Sequence, residues 1–159
     1  MFPVQLEGQL VDVRELPQDE PGGRLSAPAA PVRSDYLFAV THRQTGEPLG
    51  TVHLLIEDQA ARRAALRLSL DEGQGEPGLG EEVLALLFRL GFAHLGLHRI
   101  AARCDPHNLP GRRLLEKGGM RLEGHLRHER QVDGSWRDDF LYAIVEDEWM
   151  GGPPPPLAD

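Results

Sequence analysis

The sequence predicts an α/β (α+β) domain built on one mixed sheet, and three features of the chain carry that prediction. Apolar residues alternate with period two through several segments up to Leu70; the period changes to 3.6 after a glycine-rich loop; and two final strand-like runs meet at Asp133-Gly134, a strong hairpin signal. Strands, helix, strand, helix and hairpin, in that order, form one layered unit.

The elements follow along the chain. A short strand is expected near Leu10 to Arg14. In Asp35 to His42, Tyr36, Phe38 and Val40 alternate with Leu37, Ala39 and Thr41, so both faces are largely apolar. Gln44-Thr45-Gly46-Glu47-Pro48 is a turn, after which Leu49 to Ile56 returns antiparallel. Ala64 to Leu70 sets Leu66, Leu68 and Leu70 against Arg67 and Ser69. Val83, Leu84, Leu87, Phe88, Leu90 and Leu95 then recur at helical spacing, with Glu81 and Glu82 in the first turn, where the macrodipole favours acids, and Gly96 placed to end the helix. Gly91 inside this helix costs about 1 kcal/mol relative to Ala, so tertiary packing must hold that turn. Arg99 to Cys104 reads as a strand, Leu109 to Lys117 as a short helix stopped by Gly118-Gly119, and Arg121 to Val132 with Ser135 to Val145 as the closing hairpin. Pro17 to Pro31 reads as a long loop, and residues 151–159, with four consecutive prolines, as a disordered tail, which leaves 1–150 as a single domain.

Composition excludes several function classes. With 25 acidic and 17 basic residues the net charge is −8, so free nucleic acid and anionic membranes are poor partners. The apolar stretch Val83 to Leu97 is shorter than the roughly 20 residues that span a bilayer and is broken by Arg89, Gly91 and His94. Cys104 is the only cysteine, and the N-terminus lacks the charged and apolar runs of a secretory leader; a cytoplasmic location is expected. Sixteen of the 17 basic residues are Arg, which leaves Lys117 as the sole side-chain amine for Schiff-base chemistry. No Gly-x-Ser-x-Gly elbow supports a nucleophilic hydrolase.

One ungapped run carries a family resemblance. Asp71, Gly78-Leu79-Gly80, Glu82, Phe92-Ala93, Leu95-Gly96-Leu97-His98-Arg99-Ile100, Asp105-Pro106-His107-Asn108, Arg113, Leu115-Glu116-Lys117, Gly119-Met120 and Asp133-Gly134-Ser135-Trp136-Arg137-Asp138 together resemble the GNAT superfamily of acyl-CoA N-acyltransferases, in its ribosomal-protein N-terminal acetyltransferase-like branch. With weaker support further upstream, the resemblance covers about residues 6–149. It implies a GNAT fold, a mixed central sheet with flanking helices in which two parallel strands, Ala64 to Leu70 and Arg99 to Cys104, splay apart to admit acyl-CoA. Acetyl-CoA is the implied acyl donor and a primary amine, a protein N-terminus or a small amine, the acceptor, joined by direct attack in a ternary complex. The implied cofactor-binding positions are Leu70, Gly75, Gly78, Leu79, Gly80 and Glu81 in and around the glycine-rich loop, with Asn108 and Arg113. Glycine lets the backbone approach a phosphate, and a helix N-terminus offers unpaired N–H groups. Asn108 suits a helix N-cap equally well.

The chain also departs from the family pattern. The usual first loop position, Arg or Gln, is Gly75 here, and no basic residue lies between Asp71 and Glu82. The usual acid and base positions are Gly111, Leu115 and Ala65, none of which carries a proton-transfer group. The region before Asp35 is too short and Pro-rich for the two helices that ordinarily wall the acceptor site, so this region is shortened. A catalytically degenerate GNAT-fold binding or cofactor-sensing module is therefore the alternative function. The substitute catalytic candidates are His53, whose imidazole suits a general base, and Tyr142 as a proton donor, each set against a structural role. Cys104 and His107 with His125 and His128 contain zinc-ligand types, but the odd spacing of His125 and His128 sends them to opposite faces of a strand unless a bulge intervenes, and no metal site is assigned. The edge of the closing hairpin offers pairing for a homodimer.

Overall fold

A computed structural model describes residues 4–16, 35–71 and 78–150. The expectations for Pro17 to Pro31, for Gly75 and for the tail lie outside these residues. Eight strands form one sheet: β1 (Gln5–Glu7), β2 (Val11–Glu15), β3 (Asp35–His42), β4 (Pro48–Asp58), β5 (Arg63–Leu70), β6 (Arg99–Cys104), β7 (Arg121–Val132) and β8 (Ser135–Val145), in the spatial order β1-β2-β3-β4-β5-β6-β8-β7. Helix α1 (Leu79–Phe88) continues as a π-helical segment, Arg89–His94; α2 (Leu109–Lys117) follows β6 and α3 (Glu146–Met150) follows β8. The GNAT fold expectation, a mixed sheet with flanking helices, is met. Strand β1 and helix α3 were not anticipated; three and five residues are too short to establish a period.

Burial follows the alternation closely. Tyr36, Phe38 and Val40 of β3 are buried, as are Val52 and Leu54 of β4 and Ala64 and Leu66 of β5. Onto this face α1 packs Val83, Leu84, Leu87 and Phe88, each worth about 1.5–3 kcal/mol of burial. The helix does not run as a regular α-helix to Leu95. The Leu95 N–H donates to Leu90 O, five residues back, and Leu97 N–H to Gly91 O, both at 2.9 Å. This widened turn carries the consecutive buried residues Leu90, Gly91 and Phe92. A Cβ on Gly91 would stand 2.7 Å from Ile100 Cδ1, so the glycine permits the close approach to β6. Gly96, at φ +69°, ends the segment as expected.

The feature that positions the site is the junction of β5 and β6. They pair in parallel only from Arg63 with Arg99 to Leu66 with Ala102. Beyond Leu66, β5 stays with β4 as far as Leu70 opposite Gly50, while β6 stays with β8 as far as Cys104 opposite Phe140. The sheet therefore opens between the ends of the two strands.

Candidate active site

The opening leads into a cavity of about 650 Å³ between the sheet and the N-terminal ends of α1 and α2. Its wall includes Leu68, Leu70, Gly78, Leu79, Gly80, Glu81, Cys104, Asn108 and Arg113. Every described residue of the expected cofactor set is on that wall. Gly78 adopts φ +93° and caps α1 without a side-chain acceptor, so the first-turn N–H groups carry the positive end of the helix dipole towards the cavity. A Cβ on Gly80 would fall 2.8 Å from Leu114 Cδ1, which marks how closely α1 approaches α2. Of the first-turn acids, Glu82 turns away, accepting from the backbone N–H of Leu10 at 2.9 Å and of Val11 at 3.3 Å. Glu81 is 3.8 Å from Lys117 Nζ, which offsets its charge at the rim.

Asn108 takes both of the roles its position allows to one place: it lines the cavity, and its Oδ1 caps α2 by accepting from Gly111 N–H at 3.0 Å. Gly111 has no room for a side chain in this arrangement, since a Cβ would meet Asn108 Nδ2 at 2.6 Å and Cys104 Sγ at 3.1 Å. Leu115 is buried in the cavity wall. Burial pushes the Cys104 thiol up, so it stays protonated at neutral pH.

On the other side of the opening lies a cleft of about 820 Å³, which shares Leu66, Leu68, Ala102, Arg103, Asp105 and Arg130 with the first cavity. Ala65 lies on its floor. His53 of β4 stands opposite Arg67, and its half-buried side chain pairs with the Asp35 carboxylate; its neighbours Leu55 and Arg67 line the cleft, while His53 itself is on the wall of neither the cavity nor the cleft. A network that sequence reading missed crosses the mouth. Asp139 is buried, and its Oδ1 accepts from Arg130 Nε at 3.0 Å; Arg130 also donates to Asp105 Oδ2 at 3.0 Å, which in turn accepts from Arg137 at 2.7 Å. The His107 backbone N–H, joined by Arg137 and Arg130, holds the Asp105 carboxyl below its usual range. The only sequence signal for this network is the inward register of Asp139 on β8.

Tyr142 is fully buried, and its hydroxyl lies under α2, donating to Glu116 Oε1 at 2.9 Å and accepting from Arg112 Nε at 3.3 Å. It is on the wall of neither the cavity nor the cleft. The zinc-type residues also separate. Cys104 lines the first cavity, whereas His107, His125 and His128 line a third of about 580 Å³. A bulge does intervene here, between Leu126 and Arg130 with His128 at φ +50°, and it turns both residues to one carboxylate. His125 Nε2 is 2.7 Å from Asp138 Oδ2 and His128 N–H 2.9 Å from Oδ1. Among the described residues no group of three potential ligands converges on a metal position, and no helix is long and apolar enough to cross a membrane.

Comparison with known proteins gives a consistent picture. A family model for the acetyltransferase (GNAT) domain matches residues 16–121. The uncharacterized N-acetyltransferase YnaD of Bacillus subtilis is 39% identical over 72 residues, covering 45% of this chain and 42% of that protein. The ribosomal protein uS5 alanine N-acetyltransferase of Escherichia coli is 35% identical over 75 residues, covering 47% and 39%. The crystal structure of a Vibrio cholerae spermidine N-acetyltransferase with CoA and spermine has a TM-score of 0.67 at 22% identity, covering 74% of this chain and 69% of that one, a likeness of fold. The matched part spans less than two thirds of each of the first curated relatives, between 42 and 64% of their length.

Proposed function

The chain belongs to the GNAT acetyltransferase family, and from that premise we propose that it is an N-acetyltransferase moving an acetyl group from acetyl-CoA to a primary amine by direct attack in a ternary complex. The observation that carries the reading is the opening of β5 and β6 beyond Leu66 and Ala102, directly in front of the uncapped N-terminus of α1. The residues present fit the donor: an elongated cavity with apolar walls from Leu68 and Leu70, backbone N–H groups at Leu79, Gly80 and Glu81 for a pyrophosphate, and Arg113 and Asn108 at its rim. Bound acetyl-CoA supplies an activated thioester; the amine nitrogen forms the new N–C bond, the C–S bond breaks, and the sulfur takes a proton.

In this reading Gly75, Gly78, Leu79, Gly80 and Glu81 cradle the phosphates, Leu70 borders the pantetheine arm, and Asn108 orders the turn between β6 and α2. His53, oriented by Asp35, is the candidate that takes the amine proton on the acceptor side. A homodimer through the exposed edge of β7, and a cytoplasmic setting suited to the free thiol of Cys104, belong to the same proposal. The test is the melting temperature with and without acetyl-CoA, followed by thiol release with an amine panel. A ligand at 100 times its dissociation constant stabilises a one-site protein by about 2.7 kcal/mol, which is several degrees for a chain of this size. No shift at millimolar acetyl-CoA refutes the proposal.

A further inference from the structure

Resting on that acetyltransferase reading, we infer that the acceptor is a small amine with a carboxylate within a few atoms of its nitrogen, such as a free amino acid, and that Arg67 receives the carboxylate. The whole chain carries −8, yet the described wall of the acceptor-side cleft presents five arginines against four carboxylates. Three of those carboxylates are committed. Asp105 is held by Arg130 and Arg137, Asp139 by Arg130, and Glu129 by Arg103. Glu57, the fourth, is exposed on β4 and is a single carboxylate against the five arginines. A polyamine needs several unengaged carboxylates and would have to break these charge-assisted bonds to obtain them.

The arginines are engaged as well, with one exception. Glu123 holds Arg99 through two bonds of 2.8 Å, Arg63 lies 3.9 Å from Asp58, and Arg103 and Arg130 have the partners above. Among the described residues no carboxylate pairs with Arg67, which is exposed on β5. Its place is specific. Arg67 follows Leu66, the last β5 residue paired with β6, so it stands where the sheet opens and faces His53 in register. One residue of strand is about 3.3 Å, which puts an anion at Arg67 a few atoms from an amine that reaches the opening. The small floor residues Ala65 and Ala101 leave space for such a molecule beside the guanidinium.

The experiment is thiol release from acetyl-CoA with free amino acids, the matching amino-acid amides, a tripeptide amide and spermidine. At least one free amino acid is expected to exceed its amide in kcat/KM by about tenfold, the scale of a hydrogen bond to a charged group. Arg67→Gln should abolish that preference by raising KM for the amino acid, and Arg67→Lys should restore part of it; the melting temperature of each variant checks that it is folded. Preference for spermidine, the tripeptide amide or the amides, or a carboxylate preference untouched by Arg67→Gln, overturns the inference and leaves the acetyltransferase reading intact. No release with any amine and no thermal response to acetyl-CoA overturns both.

Discussion

Replacing Tyr142 with Phe separates a catalytic from a structural role for its phenol. The residue is fully buried on β8, its hydroxyl donating to Glu116 and accepting from Arg112. Burial raises its pKa, opposed by the Arg112 contact, so the phenol keeps its proton at neutral pH. Tyr142→Phe retains the ring and its apolar burial and removes two hydrogen bonds. Glu116 is exposed and regains water; Arg112 keeps Pro106 O at 3.4 Å and the Phe140 ring at 4.9 Å. The loss is therefore about 1 kcal/mol, or about 2–4 °C in melting temperature for a chain of this length. Because the hydroxyl is fully buried and spent on Glu116 and Arg112 beneath α2, kcat in a steady-state thiol-release assay should stay within about twofold, whereas removal of a general acid costs about 10²–10⁴. A hundredfold fall in kcat with an unchanged melting temperature, on the order of that acid–base contribution, would refute the reasoning.

Four further outcomes are expected. His53→Gln should lower kcat about a hundredfold with the melting temperature little changed; a kcat that stays within about twofold removes His53 from proton transfer. Gly78→Ala places a Cβ at φ +93° and should cost about 1 kcal/mol or more in thermal unfolding, with a weaker thermal response to acetyl-CoA. Arg130→Ala strips the buried Asp139 carboxylate of its partner and should cost about 2–4 kcal/mol, much of which Asp139→Asn in the same chain restores. Asp105 and Glu123 are both held below the usual carboxylate range, by the His107 N–H and by Arg99 respectively. A depressed carboxylate contributes stability above its unfolded value, so denaturant midpoints should fall as pH drops below about 4 and should not change on this account between pH 6 and about 8.

Periodicity was enough for the strand and helix plan, because each apolar alternation belongs to a face that must be buried. Tyr36, Phe38 and Val40, or Val83, Leu84 and Leu87, declare their partners' direction without declaring the partners. The glycine-rich loop, Asn108 and Arg113 were legible for another reason: they match the motifs of the GNAT family, and the cofactor roles expected of them come from that resemblance. The described members of that set do converge on one cavity. The irregular elements were not legible. A 3.6-residue period cannot announce the π-helical segment at Arg89–His94, in which Gly91 sits against Ile100. The bulge at His128 likewise depends on Asp138 of the facing strand.

By itself, then, the sequence determined the fold class and the order of the longer elements, since these rest on local propensity and on which faces are apolar, and its likeness to the GNAT family named the residues of the first cavity's wall. Only the tertiary structure decided how that wall is assembled and what lies across from it. The gap between β5 and β6 arises because each keeps its other neighbour, β4 and β8, past Leu66 and Ala102. The commitment of Tyr142 to α2 and the locking of Asp105, Arg130 and Asp139 across the cleft join residues far apart in the chain. Charge pairing depends on distance in space, which no spacing along the chain encodes. That pairing leaves Arg67 without a carboxylate partner among the described residues at the opening of the sheet.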